Sequence, residues 1–275
     1  AYAGSCMCAP ARAVLMLGQH TGHTPVRSKG EPGLRSQDAG RTVASLLKQA
    51  GYATGGFGKW GLGNENSPGA PWHQGFDLFF GYLDQGHAHF YYPDSLMRND
   101  QRVPLSANQG GRREVYSHDV IMEEALSFIR KNRDRPFFAY LGVTIPHAEI
   151  LVPEDSMAKY LGKFPETPYI GDHYASQPTP RAAYAGMIDR LDRDVGRVLD
   201  LIADLELEQD TIVFFTSDNG PITAGGSDPA FFNNAGPLRG LKFTFYEGGI
   251  RVPLIVRWPG QIPAGTVTDR LWCFQ

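Results

Sequence analysis

The chain has 275 residues, of which 42% are hydrophobic and 12% aromatic, enough to bury a sizeable core in one domain. Its formal net charge is only -3 and its basic residues are scattered, which excludes the electrostatic footprint of a nucleic-acid binder and means that an anionic partner must be met by local charge. No run of about eighteen or more apolar residues occurs, and no charged segment followed by an apolar one opens the chain, so neither a membrane span nor a signal peptide is read.

Tyr2-Ala3-Gly4 opens abruptly and Leu271 to Gln275 closes on apolar chain, as expected of a chain cut at both ends, with any targeting signal upstream. Of the three cysteines, Cys6 and Cys8 are too close in sequence for a relaxed bridge, so no disulfide scaffold is expected.

Taken in order, Pro10 to Leu17 reads as a helix with proline in its first turn and Gly18 at its end. Asp38 is the expected cap of a second helix, with Val43, Leu46, Leu47 and Ala50 as its apolar face and Gly51 as its stop. Gly51 to Gly58 reads as a short strand. Pro71 to Arg113, rich in Gly, His, Asn and aromatics, reads as a long irregular connection. Ser117 to Asn132 has helical spacing, and Pro136 to Val143 follows as a buried strand. The longest helix spans Pro180 to Leu205, with Tyr184, Ile188, Leu191, Val195, Val198 and Ile202 on one face. Thr211 to Thr216 and Val252 to Arg257 are further strands.

Helices and strands alternate at crossover-length separations, so the expected fold class is α/β, a mostly parallel central sheet flanked by helices. In such sheets ligands bind outside the carboxyl ends of the strands. Lys59, His147 and Asp218-Asn219 each fall just past such an end. Taken singly, they read as a solvated charge, a loop histidine and turn chemistry, and Cys8 as a small buried hydrophobe. Taken together, they mark a candidate site.

Cys8-Ala9-Pro10-Ala11-Arg12 resembles the C-x-P-x-R signature of formylglycine-dependent (type I) sulfatases, members of the alkaline phosphatase superfamily, in which the cysteine is oxidised to an aldehyde. The local setting suits an oxyanion: a proline-led helix start leaves free backbone N–H groups beside Cys8, and Arg12 lies one turn on. The resemblance continues in family order. Gly51 to Gly63 is similar to the second signature, Thr144 to His147 to the histidine loop, and Ser217-Asp218-Asn219-Gly220 to the metal-binding turn. Leu238 to Lys242, leading to Tyr246 to Pro253, is similar to the lysine loop and the strand after it.

The resemblance implies one sulfatase catalytic domain over residues 1–275, without a separate second domain. Its activity would be hydrolysis of sulfate esters through a hydrated aldehyde at position 8. One hydroxyl of the hydrate attacks sulfur, and the other lets sulfate leave by elimination. By the same resemblance Cys8, Arg12, Lys59, His147 and Lys242 are catalytic: Lys59 and Lys242 neutralise the sulfate oxygens, and His147 or Lys242 protonates the leaving alcohol. Asp218, Asn219 and residue 8 bind the metal, Ca2+, a hard cation suited to oxygen ligands. The implied partners are a sulfated carbohydrate or aryl sulfate substrate and the formylglycine-generating enzyme. The implied location is extracytoplasmic, periplasmic or secreted.

Two departures stand out. The family's opening strand, with a pair of metal-binding aspartates, lies upstream of the cysteine and outside this sequence, so these residues alone are expected to bind calcium weakly and turn over little substrate. Gly61 stands where many members have a histidine that takes a proton during elimination, and His20, His23, His87 and His89 are the candidate substitutes. Phe90, Tyr91 and Tyr92 either stack on sugar faces or pack their own loop. Two other readings stay open: a phosphate or phosphonate ester hydrolase of the same superfamily, and a non-catalytic carbohydrate-binding remnant.

Overall fold

The computed structural model describes residues 1–28 and 33–275. Helix α1 (Cys8–Leu17) begins at an extended Met7 that offers no side-chain cap, so its first backbone N–H groups have no capping side chain. It ends at Gly18, whose φ of 59° lets its N–H close on the Val14 carbonyl. Helix α2 (Val43–Gln49) is capped by Thr42, whose hydroxyl accepts from the Ser45 N–H. The expected cap, Asp38, instead belongs to a preceding single 3-10 turn and accepts from the Arg35 backbone. The expected apolar face is also displaced: Ala44 and Ser45 are buried, while Leu46 is exposed.

Strand β1 (Ala53–Lys59) is buried along its whole length. It pairs in parallel with β2 (Leu78–Tyr82) on one side and β5 (Phe137–Gly142) on the other. Strands β3 (Ser95–Arg98) and β4 (Gln101–Pro104) extend the sheet from β2 as an antiparallel hairpin, giving the order β4-β3-β2-β1-β5. The α/β reading therefore holds, with a parallel centre and an antiparallel edge. The segment read as an irregular connection contains β2, β3 and β4. Its Phe79, Phe80, Tyr82 and Leu96 are sheet and core residues rather than loop contents.

Both faces of this sheet are covered. Phe138 and Tyr140 of β5 pack with α1 and α2, while Phe137, Ala139 and Leu141 face helix α3 (Ser117–Lys131). That alternation is the period of two expected of a strand covered on both sides. Glycine at 58 is required by this closeness: its φ is 100°, and a Cβ there would overlap the Gly142 carbonyl of β5. Beyond α3 lie the short helix α4 (Glu154–Met157) and the long α5 (Pro180–Asp204). A buried ionic seam joins α5 to α3, in which His118 meets Asp194 at 3.0 Å and Arg190 forks onto Asp119 at 2.6–2.7 Å.

Strand β6 (Val213–Thr216), the one-turn helix α6 (Glu247–Ile250) and β7 (Leu254–Arg257) follow. β6 and β7 form a separate antiparallel pair that does not join the main sheet. A cleft of about 1730 Å³, lined by β5, β6 and the apolar side of α5, lies between the two sheets. β5 is accordingly half-buried over most of its length, not the fully buried strand its composition suggests. No helix of the described residues is long and apolar enough to cross a membrane.

Candidate active site

The carboxyl ends of β1, β5 and β6 deliver the polar residues to one end of this cleft, which is lined by Cys8, Arg12, Lys59, His89, His147, Asp218 and Asn219. Cys8 opens α1. Lys59 is the last residue of β1 and is buried. His147 lies on the turn after β5, and Asp218-Asn219 follow β6 directly. Lys242 arrives on a loop fixed by hydrogen bonds from its own N–H to the Pro221 carbonyl at 2.8 Å and from the Phe243 N–H to the Cys6 carbonyl at 2.9 Å. The second of these ties the lysine loop to the cysteine loop.

Lys242 Nζ lies 3.0 Å from Cys8 Sγ and 2.9 Å from His147 Nε2. Arg12, buried one turn along α1, donates from Nε to Asp218 Oδ2 at 2.8 Å, and from one terminal nitrogen to the Lys59 carbonyl and to the Tyr140 hydroxyl at 3.2 Å. The guanidinium thus holds α1, β1, β5 and the turn after β6 in one arrangement. All seven residues expected from the sequence come together here: Cys8, Arg12, Lys59, His147, Asp218, Asn219 and Lys242.

Electrostatics follow from this crowding. Burial alone would raise the Cys8 thiol, and Asp218 adds to that, but Lys59, Lys242 and Arg12 outweigh both and hold it below its ordinary value. Burial also works on Lys59, pushed down to about 8 with Arg12 and Lys242 nearby. His147 is pushed down to about 3 by burial and by the lysines beside it, so its ring is neutral at ordinary pH. Asp218 would be raised by burial, yet Arg12, Lys242 and Lys59 hold it below the usual carboxylate range. The site is a positive hollow around one thiol.

The residues also fit a hard cation in part. Asn219 Oδ1 is buried without a hydrogen-bond partner, while the same side chain spends its Nδ2 on the Gly220 carbonyl at 2.9 Å. An orphaned amide oxygen beside a carboxylate is a donor set for a metal. Among the described residues no three His, Cys, Asp or Glu side chains cluster as a complete metal shell.

Three site residues carried no sequence signal of their own. Tyr140 holds Arg12, Tyr174 meets His89, and Gln85 fills the space at Gly61. Each is recruited by tertiary contact, with no motif spacing to mark it. Of the candidate histidines, His20 and His23 are exposed, His87 packs edge-on against Tyr82, and only His89 lines the cleft. Tyr91 is fully buried with its hydroxyl on the His147 carbonyl at 2.7 Å, and Tyr92 packs on Tyr116, so both serve the core. Phe90 alone sits by the site, against His173 and Tyr174.

A thiol at a helix start, ringed by cations at the carboxyl edge of an α/β sheet, defines a centre built to hold an anion. The family model described as Sulfatase matches residues 1–271, and the chain belongs to the sulfatase family. It is 30% identical over 298 residues to the N-acetylgalactosamine-6-sulfatase of Canis lupus familiaris, covering 98% of this chain and 51% of that protein. It is 32% identical over 296 residues to an arylsulfatase of Hemicentrotus pulcherrimus, covering 96% and 47%. The crystal structure of Ps i-CgsB in complex with k-i-k-neocarrahexaose superposes with a TM-score of 0.77 at 26% identity, covering 96% of this chain and 58% of that one. The chain spans about half the length of the curated relatives it matches.

Proposed function

We propose that residues 1–275 carry the catalytic domain of a formylglycine-dependent sulfatase that hydrolyses sulfate esters on carbohydrates. The observation that carries this reading is the Cys8 side chain at the start of α1, 3.0 Å from the Lys242 ammonium and within the field of Lys59 and Arg12. An aldehyde at this position would supply, once hydrated, a nucleophile that can also release sulfate by elimination.

The chain's own residues do the rest. Lys59 and Lys242 face the anionic oxygens and offset the charge that grows as the ester bond breaks. Arg12 ties α1, which residue 8 opens, to Asp218 through its guanidinium. His147 is neutral, with Nε2 accepting from Lys242, so of the two groups Lys242 is the one that supplies a proton to the leaving oxygen. Asp218 and the unpartnered Asn219 Oδ1 would hold the divalent metal, for which calcium suits the donor set. By the family resemblance the remaining ligands would come from an aspartate-bearing strand upstream of Cys8, and the cleft between β5 and β6 has room for such a strand. The N-acetylgalactosamine-6-sulfatase relative and the structural neighbour's complex with k-i-k-neocarrahexaose favour a sulfated carbohydrate as substrate. Maturation by a formylglycine-generating enzyme and an extracytoplasmic location belong to the same reading.

The test is turnover by the aldehyde-bearing protein with its upstream strand in place. Nitrophenyl sulfate should be hydrolysed and a chelator should abolish the rate, whereas residues 1–275 alone should bind calcium weakly. Preference for nitrophenyl phosphate, or silence toward both esters with the aldehyde present, would overturn the reading.

A further inference from the structure

Phe243, the residue after Lys242, has a φ of 71°, in the left-handed region that bulky side chains avoid and glycine enters freely. The turn around it enforces that conformation. The Thr244 N–H donates to the Leu241 carbonyl at 3.1 Å and the Leu241 N–H donates to Thr244 Oγ1 at 3.2 Å, while the N–H groups of Lys242 and Phe243 are spent on the Pro221 and Cys6 carbonyls. Strain of this kind persists only where surrounding bonds over-determine it, and it gathers at sites of function. Glycine would complete the same turn without it, so what phenylalanine adds at position 243 is its ring.

That ring is not part of the core. It is 59% exposed, whereas Lys242 beside it is buried. One ammonium joins the ring to the reacting position: Lys242 Nζ lies over the Phe243 ring, 5.6 Å from its centroid, and 3.0 Å from Cys8 Sγ. The centroid is thus no farther from the sulfur than these two distances laid end to end. Another exposed aromatic of the same loop, Tyr246, lies instead under the Arg239 guanidinium at 3.8 Å.

We propose that Phe243 is a sugar-binding residue, the platform on which the first pyranose of a sulfated carbohydrate stacks while Lys242 and Lys59 hold its sulfate. The inference rests on the sulfate-ester reading and adds to it the group that receives the leaving sugar. The chemistry suits that class of ligand. A phenyl face is negative at its centre and meets the C–H face of a pyranose, whose hydroxyls stay in water around the rim. An inorganic sulfate, which has no ring, gains nothing from it.

The test uses the full-length chain with Cys8 left as the thiol, so that nothing is turned over, and titration calorimetry with two probes, inorganic sulfate and N-acetylgalactosamine 6-sulfate. Phe243→Asn removes the ring and keeps a residue that tolerates the left-handed turn. It should weaken binding of the sugar sulfate about fivefold and leave inorganic sulfate unchanged, and Phe243→Tyr should keep the parent's affinity for both. The melting temperature of Phe243→Asn should equal or exceed the parent's, because the ring is exposed and its strain is relieved. Equal weakening of both probes would reduce Phe243 to a holder of Lys242. Unchanged sugar affinity, or a parent that binds inorganic sulfate and not the sugar sulfate, would deny the platform, and a lowered melting temperature would show the ring packed against another part of the full-length chain. Each of these results overturns the proposal. Failure of the sulfate-ester reading is seen separately, as an aldehyde-bearing parent that hydrolyses no nitrophenyl sulfate.

Discussion

The two sheets contribute to one site on very different terms. In the five-stranded sheet β1 is buried from end to end, with helices on both faces, and Phe57 at its centre is 0% exposed. In the β6–β7 pair Phe214 is 55% exposed and Ile255 is 61% exposed, because both strands border the cleft and solvent. The first sheet supplies Lys59, on a strand buried throughout and paired on both sides. The second supplies Asp218 and Asn219, the metal side of the centre, and Arg12 spans the gap to reach them. Lys59 is therefore built into a finished core, while Lys242 and the metal-binding residues come from the other side of the cleft.

Truncation within each sheet tests that contrast most strongly. Phe57→Ala should cost about 3–5 kcal/mol in a chemical-denaturation series, whereas Phe214→Ala should stay within about 0.5 kcal/mol. Equal losses would mean that β6 is as well packed as β1. Next in size is the pair of lysines, one from each side. Lys59→Ala and Lys242→Ala should each lower kcat/KM for an aryl sulfate by roughly 10²–10³, with little change in stability. A drop in melting temperature matching the drop in rate would assign them to the scaffold instead.

The smallest effect concerns the ionic seam under the well-packed half. Burial opposes charge on Asp194, but hydrogen bonds from His118, Arg193 and Arg197 hold its carboxyl well below the usual range. With its folded value depressed, Asp194 contributes stability that is fully present above its unfolded value of about 3.9 and is lost as pH falls toward the folded one. Asp194→Asn should cost about 2 kcal/mol at neutral pH and flatten the acid limb of the stability profile. An acid limb unchanged in slope would remove Asp194 from the account.

The same division explains what could be read from the chain. Helices α1, α3 and α5 were legible because proline, glycine and apolar spacing punctuate them. Strands β2, β3 and β4 were not, since Leu78 to Tyr82 is apolar on both faces and Ser95 to Pro104 is too short to show a period. The cap of α2 was misplaced because Asp38 and Thr42 both carry the chemistry, and only the tertiary contact of Thr42 with the Gln74 carbonyl decides between them. The seven expected site residues were legible because each stands in a sequence motif, whether at a strand or helix end, inside α1 or on a loop. Tyr140, Tyr174 and Gln85 were not, because their partners Arg12, His89 and Gly61 lie 128, 85 and 24 positions away in sequence.

The claim on which the rest depends is that the thiol at position 8 becomes an aldehyde. After co-expression with a formylglycine-generating enzyme, tryptic mass spectrometry of the Cys8 peptide should show the aldehyde in place of the thiol, and Cys6 unmodified in the same peptide. A peptide that keeps both thiols under conditions that convert a known sulfatase would contradict the account.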